Sequence, residues 1–152
     1  MDCDILIIGG DGDLAKRKLY PALYHLEQTG CLSDSLRIVA LARKNYDGSD
    51  WVANVRQWFD DFQDQSLDEK LWSKFARRLH YVSGDATGEK DLQKARNEFF
   101  LNKSRDLVVY LATPPSIFAP VCQSLWAVGL ARASTRIVVE KPMGEDHSSF
   151  LS

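Results

Sequence analysis

Short runs rich in Ile, Val and Leu recur along the chain at residues 4–8, 36–41, 79–82, 107–111 and 137–139. Continuous apolar runs of this length suit strands buried on both faces rather than strands with one wet face. Segments with helical spacing separate them. Leu14, Leu19, Ala22, Leu23 and Leu26 make one apolar stripe ended by Gly30, and Trp51, Val55, Trp58, Phe59 and Phe62 make a second. Residues 67–78, 92–101 and 117–130 supply three more. Strands alternating with helices predict an α/β fold, a Rossmann-type doubly wound parallel sheet in three layers, and right-handed crossovers predict the strand order 3-2-1-4-5.

The 152 residues suffice for one domain with a real core, so residues 1–152 are expected to form a single unit. A net charge of -2 gives no electrostatic case for nucleic acid or an acidic membrane surface, so any anion site must be local. Cys3, Cys31 and Cys122 are odd in number and widely spaced, which argues against both a disulfide framework and zinc; reduced, buried thiols are expected. No apolar run approaches the roughly 18 residues of a membrane span, and the chain reads as cytoplasmic. It also reads as one half of something longer, because residues 150–152 look like the opening of a helix.

The loop after the first run sharpens the fold into a site. Gly10-Asp11-Gly12-Asp13-Leu14-Ala15 fits G-x-G-x-x-G/A between a strand and a helix, the context of a dinucleotide fingerprint. Glycines let the backbone approach a pyrophosphate, and free N–H groups at the helix start favour an anion. A tight turn with Asp13 as helix N-cap, needing no ligand, is the alternative. Pro21, inside the helical stripe, is expected to kink or tighten the turn that carries Lys16, Arg17 and Lys18.

Ligands in such sheets collect at the carboxyl ends of the strands. The second strand ends in Arg43-Lys44 where an NAD site usually has Asp or Glu, and a guanidinium there suits the 2′-phosphate of NADP; a surface arginine is the alternative. The third end offers Asp85-Ala86, fit for an adenine pocket or for capping a helix. The fourth, Ala112-Thr113-Pro114-Pro115-Ser116, is a rigid loop that either walls a crevice or starts a helix. After the fifth comes Glu140-Lys141-Pro142-Met143-Gly144, where Lys141, extended before proline, is in reach of a nicotinamide carboxamide or a substrate hydroxyl. His25, His80 and His147 share no metal spacing and read as surface or capping residues.

Together "GGDGDLAKRKLYPALYHLE", "ALARK", "YLATPPSIFAPV" and "IVVEKPMG" resemble the amino-terminal coenzyme domain of the glucose-6-phosphate dehydrogenase family along nearly the whole chain. The resemblance implies that Gly9, Gly10, Asp11, Gly12, Asp13, Leu14, Ala15 and Lys16 hold the NADP pyrophosphate and Arg43 its 2′-phosphate. It puts Asp85 and Ala86 on the adenosine side and Pro114 and Phe118 on the nicotinamide side, and it faces Lys18 and Lys141 toward the sugar phosphate, Lys141 touching cofactor as well. The implied reaction is hydride transfer from C1 of glucose 6-phosphate to NADP, giving 6-phosphogluconolactone, the first step of the pentose phosphate pathway. The family's catalytic His-Asp pair belongs to an R-I-D-H-Y-L-G-K-E segment that this sequence does not contain, so no catalytic residue is expected in this chain and little or no activity from it alone. Oligomerisation is expected through the family's other domain. A non-catalytic NADP-binding module, or another sugar oxidoreductase sharing the EKP loop, are the competing readings.

Asp11 departs from the pattern, since relatives often carry Ser or Thr there. A hydroxyl donates to a phosphate oxygen and an ionised carboxylate does not. Either Asp11 turns to solvent or it costs NADP affinity.

Overall fold

The computed structural model describes residues 2–62 and 67–139. Glu140, Lys141 and the loop to Gly144, with His147 and residues 150–152, lie outside the described residues. Strands β1 (Cys3–Ile8), β2 (Ile38–Ala42), β3 (Leu79–Ser83), β4 (Asp106–Leu111) and β5 (Thr135–Val139) form one sheet in the order β3-β2-β1-β4-β5. Every neighbouring pair is parallel. Parallel neighbours need crossovers, and helices α1 (Tyr20–Gln28), α2 (Gly48–Phe62), α3 (Glu69–Ala76), α4 (Glu89–Phe99) and α5 (Phe118–Ala127) provide them.

Covering both faces makes two cores. On one, Leu6, Ile8, Leu41, Val109 and Leu111 meet Leu92 of α4 and Val121 and Leu125 of α5. On the other, Ile7, Ile38 and Ala40 meet the aromatic residues of α1, α2 and α3. The Trp51, Val55, Trp58 and Phe59 face is core, as its spacing predicts, with Trp51 and Trp58 edge to face at 5.4 Å between ring centroids. Phe62, the last of that stripe, is instead at the surface with Arg17 over its ring.

The first helix departs from the expected stripe. Residues Ala15–Leu19 form a π-helical turn, closed by the Tyr20 N–H donating to Ala15 O, before α1 begins. Pro21 has no N–H and its ring crowds the carbonyl of Arg17, so the preceding turn widens rather than tightens. One extra residue in that turn rotates the following face by about 100°. Tyr20, Tyr24 and Glu27 are buried in consequence, while Ala22 and Leu26 face out.

Buried charge ties down the amino-terminal end of the sheet, opposite the glycine turn. Arg78 grips Glu27 through Nε–Oε1 at 2.7 Å and Nη2–Oε2 at 3.1 Å, and its Nη1 donates to Ser33 O and Leu36 O. Asp4 receives Arg37 at 3.0 Å and Arg105 at 2.8 Å. Burial opposes ionisation of Asp4, but the hydrogen bonds from Arg105 and Arg37 outweigh it and hold the carboxyl below the usual range. The three thiols are free; Cys3 and Cys122 are half-buried, whereas Cys31, in the turn that follows α1, is exposed rather than buried as expected. His25 is exposed and His80 sits half-buried against Phe99.

Candidate functional site

β1 runs directly into Gly9-Gly10-Asp11-Gly12. Gly9 adopts a φ of +78°, a region that costs other residues, and a Cβ there would meet Thr113 Cγ2 at 2.7 Å and Ala112 O at 2.8 Å. A Cβ on Gly10 would lie 2.5 Å from Ala40 Cβ. The turn therefore threads between the ends of β2 and β4 where only bare backbone fits. Gly9 N–H donates to Leu41 O at 2.8 Å, and Gly12 N–H returns to Gly9 O at 3.0 Å. From below, the buried Tyr20 hydroxyl donates to Gly10 O at 2.7 Å. Burial first, and then the nearby Asp11 charge, push the Tyr20 phenol well above its ordinary value, so it remains a donor.

Beyond this turn the carboxyl ends of β1 to β4 open into a cleft of about 510 Å³, which brings together Gly9, Asp11, Arg43, Asp85, Ala86 and Pro114 of the expected set. Lys44, Gly84, Thr113 and Ile117 also line it, above the strand ends Ile8, Leu41 and Ala42. Arg43 is exposed and lies 3.7 Å from Asp85 Oδ2. Asp85 Oδ1 accepts from the Thr87 hydroxyl at 2.7 Å and its N–H at 2.9 Å, and these two bonds hold the carboxyl below its ordinary range. Asp85 thus stabilises its own turn and lines the cleft, but it does not cap the helix that follows, whose N-cap is Gly88 with no side-chain hydrogen bond. Thr113 Oγ1 is buried and has no hydrogen-bond partner among the described residues, and an unpaired hydroxyl beside a glycine turn is the kind of group a polar ligand satisfies.

Asp11 neither points freely to solvent nor stands alone. It is half-buried and its Oδ2 accepts from the Tyr46 hydroxyl at 3.5 Å. Tyr46 is itself held edge to face against Trp51 and Tyr81, at 5.2 and 4.9 Å between centroids. Burial, and after it the Asp11 charge, raise the Tyr46 phenol, which keeps its proton available for the carboxylate. Lys44 Nζ lies over the other side of this cluster, 5.1 Å from the Tyr46 ring centre.

The remaining expected residues sit elsewhere. Gly10 is buried behind the turn, and Ala15 is fully buried in the α1–α3 core, and neither lines the cleft. Gly12 and the half-buried Leu14 line the turn and not the cleft wall. Asp13 is exposed and pairs loosely with Arg17 at 3.8 Å. Lys16 Nζ rests 5.0 Å over Trp58, and Lys18 is exposed. Phe118 and Ile117 both pack against the α4–α5 core, but of the two only Ile117 also lines the cleft, because the single 3₁₀ turn Pro115–Ile117 ends there and α5 carries the next side chain around the axis. Tyr46 and Ile117 were not legible as site residues; an aromatic residue in a loop carries no period from which its direction can be read. Among the described residues no group of His, Cys, Asp and Glu is arranged to hold a metal ion, and no helix is long and apolar enough to cross a membrane.

Residues 6–152 match the family model described as glucose-6-phosphate dehydrogenase, NAD binding domain. A glucose-6-phosphate 1-dehydrogenase from Dickeya dadantii is 33% identical over 147 residues, 97% of this chain and 30% of the relative. The crystal structure of the enzyme from Mycobacterium avium superposes with a TM-score of 0.85 at 28% identity, covering 97% of this chain and 31% of that one. A glucose-6-phosphate dehydrogenase solved in complex with its substrate glucose-6-phosphate gives 0.76 at 31% identity, covering 97% and 32%. The chain thus spans about 30% of the length of the curated relatives, and it belongs to the glucose-6-phosphate dehydrogenase family, matching that family's NAD binding domain.

Proposed function

We propose that this chain supplies the NADP-binding part of a glucose 6-phosphate-oxidising dehydrogenase. The observation that carries the reading is the cleft that unites the glycine turn, Arg43, Asp85 and the unpaired Thr113 hydroxyl at one end of a parallel sheet. In it the turn from Gly9 to Lys16 takes the pyrophosphate, through backbone N–H groups other than those of Gly9, Gly12 and Lys16, which already donate to Leu41 O, Gly9 O and Gly12 O; Arg43 takes the 2′-phosphate, Asp85 and Ala86 line the adenosine side, and Pro114 with Ile117 walls the nicotinamide side, next to Phe118. Bound there, NADP supplies the acceptor for a hydride from C1 of the sugar. This chain's own residues bind and orient; Lys18, and Lys141 outside the described residues, are assigned the sugar phosphate on the family resemblance. The proton from the C1 hydroxyl must leave to a base, and residues 1–152 do not include the R-I-D-H-Y-L-G-K-E segment that carries the family's His-Asp pair. General-base catalysis typically contributes about 10²- to 10⁴-fold, so the chain by itself turns over glucose 6-phosphate at most marginally. Three unpaired thiols fit a reducing compartment, the cytoplasm.

Calorimetric titration with NADP tests the reading. Arg43→Ala should weaken NADP about ten- to hundredfold, the equivalent of about 1.5 to 3 kcal/mol for a charge-assisted bond, and leave the thermal midpoint in place because Arg43 is exposed. Unchanged affinity in that variant would remove Arg43 from the 2′-phosphate role, and absence of NADP binding would remove the function.

A further inference from the structure

We propose that this chain carries a separate anion site, for a phosphate monoester, at the end of the sheet opposite the glycine turn. The proposal does not depend on what occupies the strand-end cleft. Where β2 and β3 begin, a cavity of about 440 Å³ opens between residues 34–37 on one side and Lys74, Arg77 and Arg78 at the end of α3 on the other. Four cations and a single acid, Asp34, line it, in a chain whose net charge is -2.

The four cations differ in what they have left to donate. Arg78 is fully engaged by Glu27, Ser33 O and Leu36 O. Arg37 turns Nε and Nη2 to Asp4 and Phe99 O, which leaves Nη1 unbonded among the described residues, and it shares Asp4 with Arg105. Arg77 is exposed, and among the described residues its guanidinium makes one long bond, Nε to Ser73 O at 3.4 Å. Lys74 meets only Asp34, at 3.7 Å, and that carboxylate is almost wholly in water. An exposed pair of this kind contributes little and yields to a better-placed anion.

Lys74 and Arg77 stand three residues apart on one face of the end of α3, and Arg37 comes from the start of β2. Donors converging from two elements suit a tetrahedral dianion, which offers acceptors in several directions; a planar carboxylate is filled by one guanidinium fork. α3 presents its carbonyl end here, which disfavours an anion, so the side chains carry the site and not the helix. The buried Leu36 and the aliphatic stems of the arginines give the wall an apolar part, and the volume leaves room beyond the phosphate for the body of an ester.

The test is an amide NMR titration of the chain with inorganic phosphate, phenyl phosphate and acetate at constant ionic strength. It separates this site from the cleft, because Ser35, Leu36 and Arg77 report on one and Gly12 and Asp13 on the other. Phosphate should shift the first set with a Kd on the order of 1 to 10 mM, phenyl phosphate should bind about threefold tighter or better, and acetate should leave the set in place. Arg77→Ala should weaken phosphate about tenfold, whereas Asp34→Asn, which removes the competing carboxylate, should tighten it about threefold. Both substituted side chains are exposed, and an unchanged melting temperature checks that the variants fold. Shifts confined to the glycine turn, or full affinity in Arg77→Ala, overturn the site. Acetate binding as well as phosphate overturns the phosphate assignment, and phenyl phosphate binding no tighter than inorganic phosphate overturns the ester.

Discussion

Gly10 and Gly12 belong to one motif, yet the structure gives them different work, and alanine at each separates fold from ligand binding. A Cβ on Gly10 would stand 2.5 Å from Ala40 Cβ, 3.3 Å from Ala40 Cα and 3.0 Å from the Tyr20 hydroxyl. Ala40 is in the middle of β2, flanked on both sides in register by Ile7 of β1 and Tyr81 of β3, so it cannot retreat. Overpacking against fixed backbone costs about 1 to 3 kcal/mol, and the lost or bent Tyr20–Gly10 bond adds about 1 kcal/mol. At about 2 to 4 °C per kcal/mol for a domain of this size, Gly10→Ala should lower the melting temperature by roughly 4 to 16 °C. On Gly12 the same methyl meets only Gly9 O at 3.3 Å and Ala112 O at 3.7 Å, and φ is not in the left-handed region. Gly12→Ala should therefore melt within about 2 °C of the unsubstituted chain, while losing affinity for NADP because the methyl stands where a pyrophosphate must approach the turn. Melting followed by far-ultraviolet circular dichroism, with calorimetric titration on the folded variants, reads both effects. Equal destabilisation by the two substitutions, or a Gly12→Ala variant with full NADP affinity, would refute the division.

Two further expectations concern the opposite end of the sheet. Glu27→Ala leaves the buried Arg78 guanidinium without its carboxylate and should cost about 3 to 5 kcal/mol in urea denaturation; a loss under about 1 kcal/mol would mean that Ser33 O and Leu36 O satisfy Arg78 alone. Asp4 has a folded-state pKa below its ordinary value, so its contribution is full above about pH 4 and is lost as pH falls through the lower, folded value. Urea midpoints should consequently drop steeply below about pH 4 in the unsubstituted chain and less steeply in Asp4→Asn, and parallel slopes would remove Asp4 from the acid response.

The strands were legible because each is a short apolar run, and the order β3-β2-β1-β4-β5 follows from handed crossovers with no further information. The glycine turn was legible because its residues are chosen by backbone geometry, which a sequence displays directly. The side on which α1 buries its residues was not. Spacing assumes 3.6 residues per turn, and the π turn before Pro21 breaks that count. Within the cleft, Arg43 and Asp85 could be placed from their positions at strand ends, but the bond between Tyr46 and Asp11 joins two loops 35 residues apart. Pairing of that kind depends on how α2 and β3 trap the Tyr46 ring, a tertiary fact without a local pattern.

The widened turn at Ala15–Leu19 has a consequence for length as distinct from composition. Between Gly12 and Pro21 the chain spends one residue more than an unbroken α-helix would need, and that residue sets the phase of everything after it. Losing one codon in this stretch would let the segment close into regular helix and turn α1 by about 100°, lifting Tyr20 from the Gly10 carbonyl and Glu27 from Arg78 together. Substitutions at the exposed Arg17 or Lys18 leave that phase alone. In this segment the number of residues is held more tightly than the identity of several of them, and insertions or deletions here act at both ends of the sheet at once.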